Sequence, residues 1–564
     1  VRIEKFRGIR NADIQLRDEL AIVGQNSAGK SSILRALNAF FNFHDEQQHF
    51  EKSRHAFQKT STATIELEFS EVPQNCQLPR LVANSTSVRA RLKYKKTPIW
   101  QIFSNGRWDS APNDLHEELG RYIRYVYIPT SRTDSALAWA KESLLQEAVI
   151  SWLKNYTRNR DTISPRVTQV TETIKNRTFT GLSKTLRKLT HLHGSFEFDI
   201  DYASPPNYQL LVQDLVLRVV DGDTSIDISD CGSGTQSMAA IAMYSYLAET
   251  LDSTYILGIE EPEQNLHPQA QRSLFATLKG LPLQVCFTTH STVMLDSLDH
   301  EDVVLCRRVS SNTRSFEITT TQLPETFWDE KDIDRTKYYS FHRRRNSEFF
   351  YADFVILTES PIDSLVIEHL INSGGLDTSY YSVSIVSLDG VQALPYAYHL
   401  LNELGVSFAA VVDKDYFLPY LNDELESSRD SKGFPKYKKE YQTDCLIEEM
   451  RPSQRSRARL MSMFHKNHSK AMDLLENNNV FCFRFSLEID LLGSNTATQD
   501  LYQLLNVPAQ DRITSELLVN RKKQLKKLST VLEIVQGLSP GALPNSYKRL
   551  RKRLPELIEN STSR

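Results

Sequence analysis

Cysteine is scarce in this chain. Its 564 residues contain six (Cys76, Cys231, Cys286, Cys306, Cys445 and Cys482), widely spaced and with no Cys-x-x-Cys pair. That excludes a disulfide framework and a structural zinc site, and it fits a reducing, cytoplasmic setting. Long apolar runs are missing as well. No stretch approaches the roughly eighteen residues of a membrane span, so no membrane association is expected. The opening residues, "VRIEKFRGI", are charged and strand-like, unlike a secretory signal. Neither sign of charge dominates: 67 Lys and Arg face 70 Asp and Glu, for a net charge of -3. Any nucleic-acid surface must therefore be local. Internal repeats and low-complexity tracts are also absent. What remains is ordinary globular composition, 40% hydrophobic and 24% charged, in a chain long enough for about three or four domains.

The most informative stretch is "AIVGQNSAGKSSILRALNAFF", Ala21 to Phe41. Its "GQNSAGKS" has the spacing of a P-loop. The apolar run Leu20–Val23 reads as a buried strand, and Ile33, Leu34, Leu37, Phe40 and Phe41 recur at helical spacing. Strand, glycine-rich turn and helix in that order present backbone N–H groups to phosphate oxygens. Gly24, Asn26, Gly29, Lys30, Ser31 and Ser32 are the candidate nucleotide contacts. Lys30 would reach the β- and γ-phosphates, and the Ser31 hydroxyl would ligate Mg²⁺.

Three later segments supply what such a loop needs. "YILGIEEPE" is an apolar strand ending in Glu260 and Glu261, one acid for the Mg²⁺ shell and one to polarise the attacking water. "CGSGTQ", with Ser233, Gly234 and Gln236, is a turn opening a helix and a second phosphate-binding candidate. "CFTTHS" sets His290 just past a strand, where it can sense a γ-phosphate. Through these motifs, residues 1–300 resemble an ABC-type ATPase head of DNA-repair and chromosome-maintenance ATPases. The resemblance implies that the signature of one protomer completes the ATP site of its partner, hence a homodimer or higher homo-oligomer. By position it makes Glu260 the Walker B acid, Glu261 the hydrolytic base, and Ser233 and Gly234 the contacts to the partner's γ-phosphate. A helical insertion over 135–192 is expected to split this domain. It is too short for the long coiled coil of a pure repair ATPase.

From about Asp353 a second alternation begins: "ADFVILTE", a helix, "YSVSIVSL", a helix, "VSFAAVVD". This predicts an independent parallel βαβαβ unit. Acids stand at its strand ends. Glu359 closes the first strand with Asp363 on the following helix, and Asp413 and Asp415, two apart, read as sharing one face of the third. Carboxylates converging there would repel one another unless Mg²⁺ or Mn²⁺ neutralised them. A pair of such ions suits phosphodiester cleavage.

This pattern resembles a TOPRIM domain, with Ser360 in place of the usual glycine and Asp363 in place of the second glutamate. The resemblance adds Glu488 in "FRFSLEIDLLG" as a further metal ligand, beside Asp490, and a catalytic lysine near the C-terminus, Lys526 or Lys527, of which Lys527 is the candidate carried forward.

An ABC-type head followed by TOPRIM resembles the OLD (overcoming lysogenisation defect) nucleases, many of them in antiphage defence. It implies an α/β protein with four parts: 1–134 the N-terminal ATPase lobe, 135–192 the insertion, 193–345 the C-terminal lobe, and 346–564 the TOPRIM nuclease domain with a basic helical tail. The implied activity is ATP-controlled, Mg²⁺- or Mn²⁺-dependent DNA cleavage. The implied partners are DNA, a second copy of the chain, and an associated helicase-like protein or reverse transcriptase with its RNA. Arg451–Arg459, Asn520–Lys527 and Ser546–Arg553 are candidate phosphate-contacting segments. The rival reading is a sensor ATPase whose degenerate TOPRIM scaffold controls a toxic partner.

Overall fold

The computed structural model describes residues 1–70, 87–112, 115–130, 149–151, 157–174, 176, 217–221, 224–250, 254–280, 283–310, 316–334, 341, 347–422 and 428–562. Of the insertion expected over 135–192, the helix Thr157–Ile174 falls within them, and most of the rest lies outside the described residues. The period-two run "FEFDIDY", which reads as a strand, also lies outside the described residues. The chain divides into two compact units. The first is Val1–Ile22, Gly29–Ser297 and Phe316–Thr319; the second is Val23–Ala28, Leu298–Ser315 and Thr320–Arg564.

The first unit is built on two runs of one large sheet. Strands β1 (Arg2–Phe6), β2 (Ile9–Asp13), β4 (Ala63–Phe69), β5 (Val88–Tyr94), β6 (Pro98–Ser104) and β7 (Arg107–Ser110) form an antiparallel run in the order β7-β6-β5-β4-β1-β2. Strands β3 (Glu19–Val23), β8 (Ile123–Ile128), β9 (Thr254–Glu260) and β10 (Gln284–Thr288) form a parallel run, β3-β10-β9-β8. The two runs differ as their sequences do. The antiparallel strand "ATIELEF" mixes polar and apolar residues, whereas the inner parallel strands β3, β10 and β9 are buried over nearly their whole length, as strands covered on both faces are. The P-loop helix α1 (Lys30–Phe41) buries Ile33, Leu34, Leu37 and Phe40. Helix α2 (Phe43–Glu51) follows at once.

The second unit carries the expected parallel sheet. Its strands β11 (Phe354–Thr358), β12 (Val383–Ser387), β13 (Ser407–Val412) and β14 (Val480–Cys482) are all parallel, in the order β12-β11-β13-β14. Right-handed crossovers are the rule for such strands, and α3 (Pro361–Ser373) and α4 (Leu394–Glu403) supply them. Helix α3 buries Val366, Ile367, Leu370 and Ile371 against Phe354, Ile356, Ala409 and Val411 of the sheet. The C-terminal helices α7 (Leu528–Gly537) and α8 (Asn545–Thr562) close this core with Val531, Ile534, Tyr547, Leu550, Leu554 and Ile558. In sequence, α5 (Gln454–Lys466) lies between β13 and β14, and α6 (Asn495–Leu504) between β14 and α7. Truncating a fully buried member such as Leu370 would cost about 2–5 kcal/mol. The α/β class, the parallel second sheet and the helical C-terminal region are those expected from the sequence.

Candidate functional site

The P-loop backbone is shaped for an anion. Gly24, Ser27 and Gly29 all have positive φ (138°, 63° and 88°), curving the turn so that its N–H groups converge. Two of these positions admit nothing but glycine. A Cβ on Gly24 would meet the Cys306 carbonyl oxygen at 2.1 Å, and one on Gly29 would meet Ile318 at 2.2 Å. Lys30 begins α1 with only 7% of its surface exposed. Across the parallel run, Glu260 closes β9 and accepts from the Thr130 N–H (3.2 Å) and hydroxyl (3.0 Å). Burial opposes its charge, but hydrogen bonds from Ser31, Tyr127 and Thr130 win, and its pKa is lowered. Glu260 is therefore an anion tied to the Ser31 hydroxyl, the pairing that a Mg²⁺ shell requires.

Glu261 follows with φ 44°, its N–H donating to the Thr288 carbonyl at 3.0 Å. That bond is the last rung of the β9–β10 ladder, and the positive φ turns the chain out of the strand. Sequence reading missed Glu263, the last acid of "EEPE". Its Oε1 accepts from the Thr289 hydroxyl and the His290 N–H, both at 2.7 Å, so it fixes the loop carrying His290. Burial and the nearby Lys30 charge lower the His290 pKa, favouring a neutral ring. The signature segment opens the helix Ser233–Thr250, and the Ser233 side chain lies outside the described part. Gly234 packs so closely on Leu266 that a Cβ would sit 2.5 Å from it. The buried Gln236 amide donates to the Ile228 and Cys231 carbonyls, both at 3.1 Å, and so braces its own turn. Asn26 is exposed at the loop tip, and Ser32 N–H donates to the Gly29 carbonyl at 2.8 Å.

In the second unit the acids converge at the carboxyl ends of adjacent parallel strands. Glu359 follows β11 and Asp413 follows β13. One carboxylate oxygen from each of Glu359, Asp413 and Asp415 lies within 4.8 Å of the other two. The reason for the Asp413–Asp415 juxtaposition differs from the one read in the sequence. They do not share a strand face, because β13 ends at Val412 and Asp413 caps a 3₁₀ turn, Lys414–Tyr416. The turn, not strand alternation, brings Asp415 back beside Asp413. Asp413 Oδ1 accepts from the Leu487 N–H at 3.1 Å.

The electrostatics of this cluster ask for a cation. Burial, then the charges of its neighbours, raises the pKa of Glu359 and pushes that of Asp413 well up; burial is also the main cause for Asp415. Glu359 Oε2 and Asp415 Oδ1 are buried with no hydrogen-bond partner among the described residues. Orphaned buried carboxylate oxygens are costly unless something neutralises them. An oxygen-only donor set with two such atoms fits a hard divalent cation.

The remaining candidates sort by what they touch. Asp363 is engaged elsewhere: its carboxylate accepts from Ser360 N–H (2.8 Å) and hydroxyl (2.7 Å) in a capping box at the start of α3. Burial raises its pKa to about 6. The expectation that it is a metal ligand therefore meets a carboxylate already holding its helix N-terminus. Glu488 stands in the single turn Leu487–Asp490, directly after the N–H that Asp413 accepts. The lysine that meets it is Lys526, at 3.1 Å, not the expected Lys527, which instead caps α7. Asp490 accepts from the Arg484 and Phe485 N–H groups, both at 2.9 Å, and holds the loop. Lys414, between the two aspartates, was also missed. It is buried, donates to the Phe464 carbonyl at 3.2 Å and lies 4.5 Å over the Tyr437 ring.

Comparison with known proteins matches residues 1–119 and 129–295 to the AAA ATPase domain family. Residues 350–415 match the family described as overcoming lysogenization defect protein-like, TOPRIM domain. A third family, described only as a protein of unknown function, matches residues 248–346. Among curated proteins, the Old nuclease of Escherichia phage P2 is 22% identical over 460 residues, covering 74% of this chain and 77% of that one. The OLD nuclease of Thermus scotoductus (strain ATCC 700910 / SA-01) is 21% identical, covering 74% and 81%. Endonuclease GajA of Bacillus cereus (strain VD045) is 22% identical, covering 77% and 76%.

Proposed function

The chain belongs to the AAA ATPase domain family and carries an OLD-like TOPRIM domain, and from that premise we propose that it is an ATP-controlled, divalent-metal-dependent DNA endonuclease. The observation that carries this reading is the Glu359–Asp413–Asp415 cluster with its two unpartnered buried oxygens. Glu359, Asp413 and Asp415 would hold the cation, with Glu488 beside them. A divalent ion bound there supplies an activated water and charge stabilisation for phosphodiester cleavage. The 3₁₀ turn and the Leu487 N–H keep the Asp413 carboxylate aimed at that point, and Lys526 sets a positive charge at its edge.

In the ATPase half, Lys30 and the curved turn hold the triphosphate, and Ser31 with Glu260 would hold its Mg²⁺. Glu261 takes the proton of the attacking water, and His290, held by Glu263, contacts the γ-phosphate. Ser233 and Gly234 serve the site of a second copy, so the working form is a homodimer or larger. Action in defence against phage, with a helicase-like or reverse-transcriptase partner, extends the same reading.

The scaffold alternative has one observation in its favour, the Asp363 carboxylate engaged in capping. A plasmid-nicking assay in Mg²⁺ or Mn²⁺ decides between the two. The wild-type chain should nick, and Asp413→Ala should lose about a hundredfold or more of the activity while still hydrolysing ATP. Equal nicking by the variant would overturn the nuclease assignment.

A further inference from the structure

The sequence holds three basic segments after the TOPRIM acids, and the structure treats them differently. In α8, Arg549 is paired with Asp473 (2.6 Å) and Glu476, and Arg553 with Glu476 and Glu556. Arg551 donates to the Ser373 carbonyl. Those arginines fasten α8 to its surroundings, while Lys548 and Lys552 on the same helix stay exposed. In the segment 520–527, Arg521 is paired with Glu516 and Lys526 with Glu488.

The segment around α5 is built otherwise. From Arg451 to Met472 the chain has six Lys and Arg and no Asp or Glu. Arg451 donates to the Met450 carbonyl and to Asn478, and Arg457 to the carbonyls of Arg451 and Pro452. Arg455, Arg459 and Lys466 are exposed, with no ion pair or side-chain hydrogen bond among the described residues. At about 100° per residue they fall within roughly 40° of one another on the helix surface. Leu460 and Phe464, the buried residues of α5, point the opposite way. The helix is thus amphipathic in an unusual sense, with an apolar face inward and, outward, a stripe of three cations and Ser462 with no acid.

Helix stability accounts for Lys466, a cation in the last turn of α5, but not for the two arginines. The first turn of α5 contains no acid, and a cation there opposes the helix dipole. Arg455 and Arg459, four apart, repel each other. A face that is kept cationic against local preference is a face for an external anion.

Its position suits one in particular. The inward side of α5 is joined to the acidic turn: Lys414, flanked by Asp413 and Asp415, donates to the Phe464 carbonyl, and Phe464 packs on Phe417 at 5.4 Å. The stripe runs about 16 Å from Arg455 to Lys466, roughly the axial length of five nucleotides of one strand. The body of α5 lies between the stripe and that turn.

We propose that Arg455, Arg459 and Lys466 form a phosphate track that holds DNA flanking the cleavage point, a surface distinct from the residues that cut. The inference rests on the nuclease reading above, and it names the binding surface that reading leaves open. The ligand is a polyphosphate backbone, either of duplex or of single-stranded DNA.

The test is the salt dependence of DNA binding by the full chain in the Asp413→Ala background, with a labelled 30-nucleotide single strand and its duplex as probes. Arg455→Ala/Arg459→Ala should lower the slope of log K against log salt by about 1.8 on duplex or about 1.4 on single strand. Arg455→Lys/Arg459→Lys should restore it. The comparison pair Lys548→Ala/Lys552→Ala, on the exposed side of α8, should leave the slope unchanged. Unaltered melting and ATP hydrolysis would establish that the Arg→Ala pair is folded. A slope that changes with the α8 pair and not with the α5 pair, or with neither, overturns the track. Failure of the parent chain to bind either DNA would overturn the nuclease reading itself, and the track with it.

Discussion

Lys414→Met is the perturbation that most directly tests how the acidic site is held together. The lysine sits between two metal-binding candidates but does not touch what they bind. Its ammonium is turned away, donating to Phe464 and lying over Tyr437. Its backbone N–H donates to the Phe485 carbonyl at 2.9 Å. The charged hydrogen bond is worth about 1.5–3 kcal/mol and the cation–π contact up to about 2 kcal/mol. Against them stands the cost of burying an ammonium, several kcal/mol, which also pushes the Lys414 pKa down.

These terms nearly cancel, and methionine keeps the volume. Global stability should therefore change by no more than about 2 kcal/mol in either direction. The turn that aims Asp413 and Asp415 loses its anchor, however. Losses of such supporting contacts typically lower metal affinity 10–100-fold, equivalent to about 1.4–2.8 kcal/mol. Calorimetric titration of the full chain with Mn²⁺ reads this directly, and thermal denaturation with and without the ion reads it independently. Lys526→Met provides the contrast, because it removes a charge at Glu488 without touching the turn. If folded Lys414→Met bound Mn²⁺ as tightly as the wild type, the anchoring argument would be wrong.

The nucleotide half yields a separable pair. Lys30→Ala should abolish ATP binding measured by fluorescent-nucleotide titration, whereas Glu261→Gln should bind ATP, hydrolyse it slowly and accumulate as a dimer in light scattering; wild-type turnover by the Gln variant would remove Glu261 from its role. Behind the P-loop helix, Glu46 is buried with His55 at 2.6 Å, Asn38 at 3.0 Å and Arg35 at 3.1 Å. Burial works against its charge, but these partners prevail and its pKa falls to about 2. Because the folded pKa is depressed, the stabilisation is present above about pH 4.5 and is lost as pH falls toward 2. Melting curves across that window should show wild type losing stability faster than Glu46→Gln, and Glu46→Ala should cost about 3 kcal/mol at pH 7; parallel acid profiles would refute this.

How far the sequence could be read depended on what kind of information each feature needs. The P-loop and the two parallel sheets were legible because they are local: apolar runs, a glycine turn and helical periodicity lie within a dozen residues of one another. The acid cluster was legible as a set of residues but not as a geometry. Asp413 and Asp415 looked like neighbours on a strand, whereas a 3₁₀ turn begun at Asp413 brings them together. Asp363 had the right charge and spacing for a ligand, but "SPID" is also a helix start. The serine, the proline at the first helical position and the acid three residues on from the cap form a capping box that the TOPRIM resemblance concealed.

The lysine shows the limit most sharply. Lys526 and Lys527 are adjacent, yet one pairs with Glu488 and the other is the exposed residue at which α7 begins. One residue of rotation separates them, and sequence pattern does not fix it. Charge runs are the extreme case, because a run counts cations without saying what they meet. Ser546–Arg553 and Arg451–Arg459 look equally basic, but the arginines of the first find Asp473 and Glu476 from elsewhere in the fold, and Glu556 one turn on in their own helix. Arg455 and Arg459 of the second find no such acid among the described residues. Only tertiary structure separates a cation that closes the fold from one left facing outward, and that separation, not the number of positive charges, is what makes α5 the better surface for DNA.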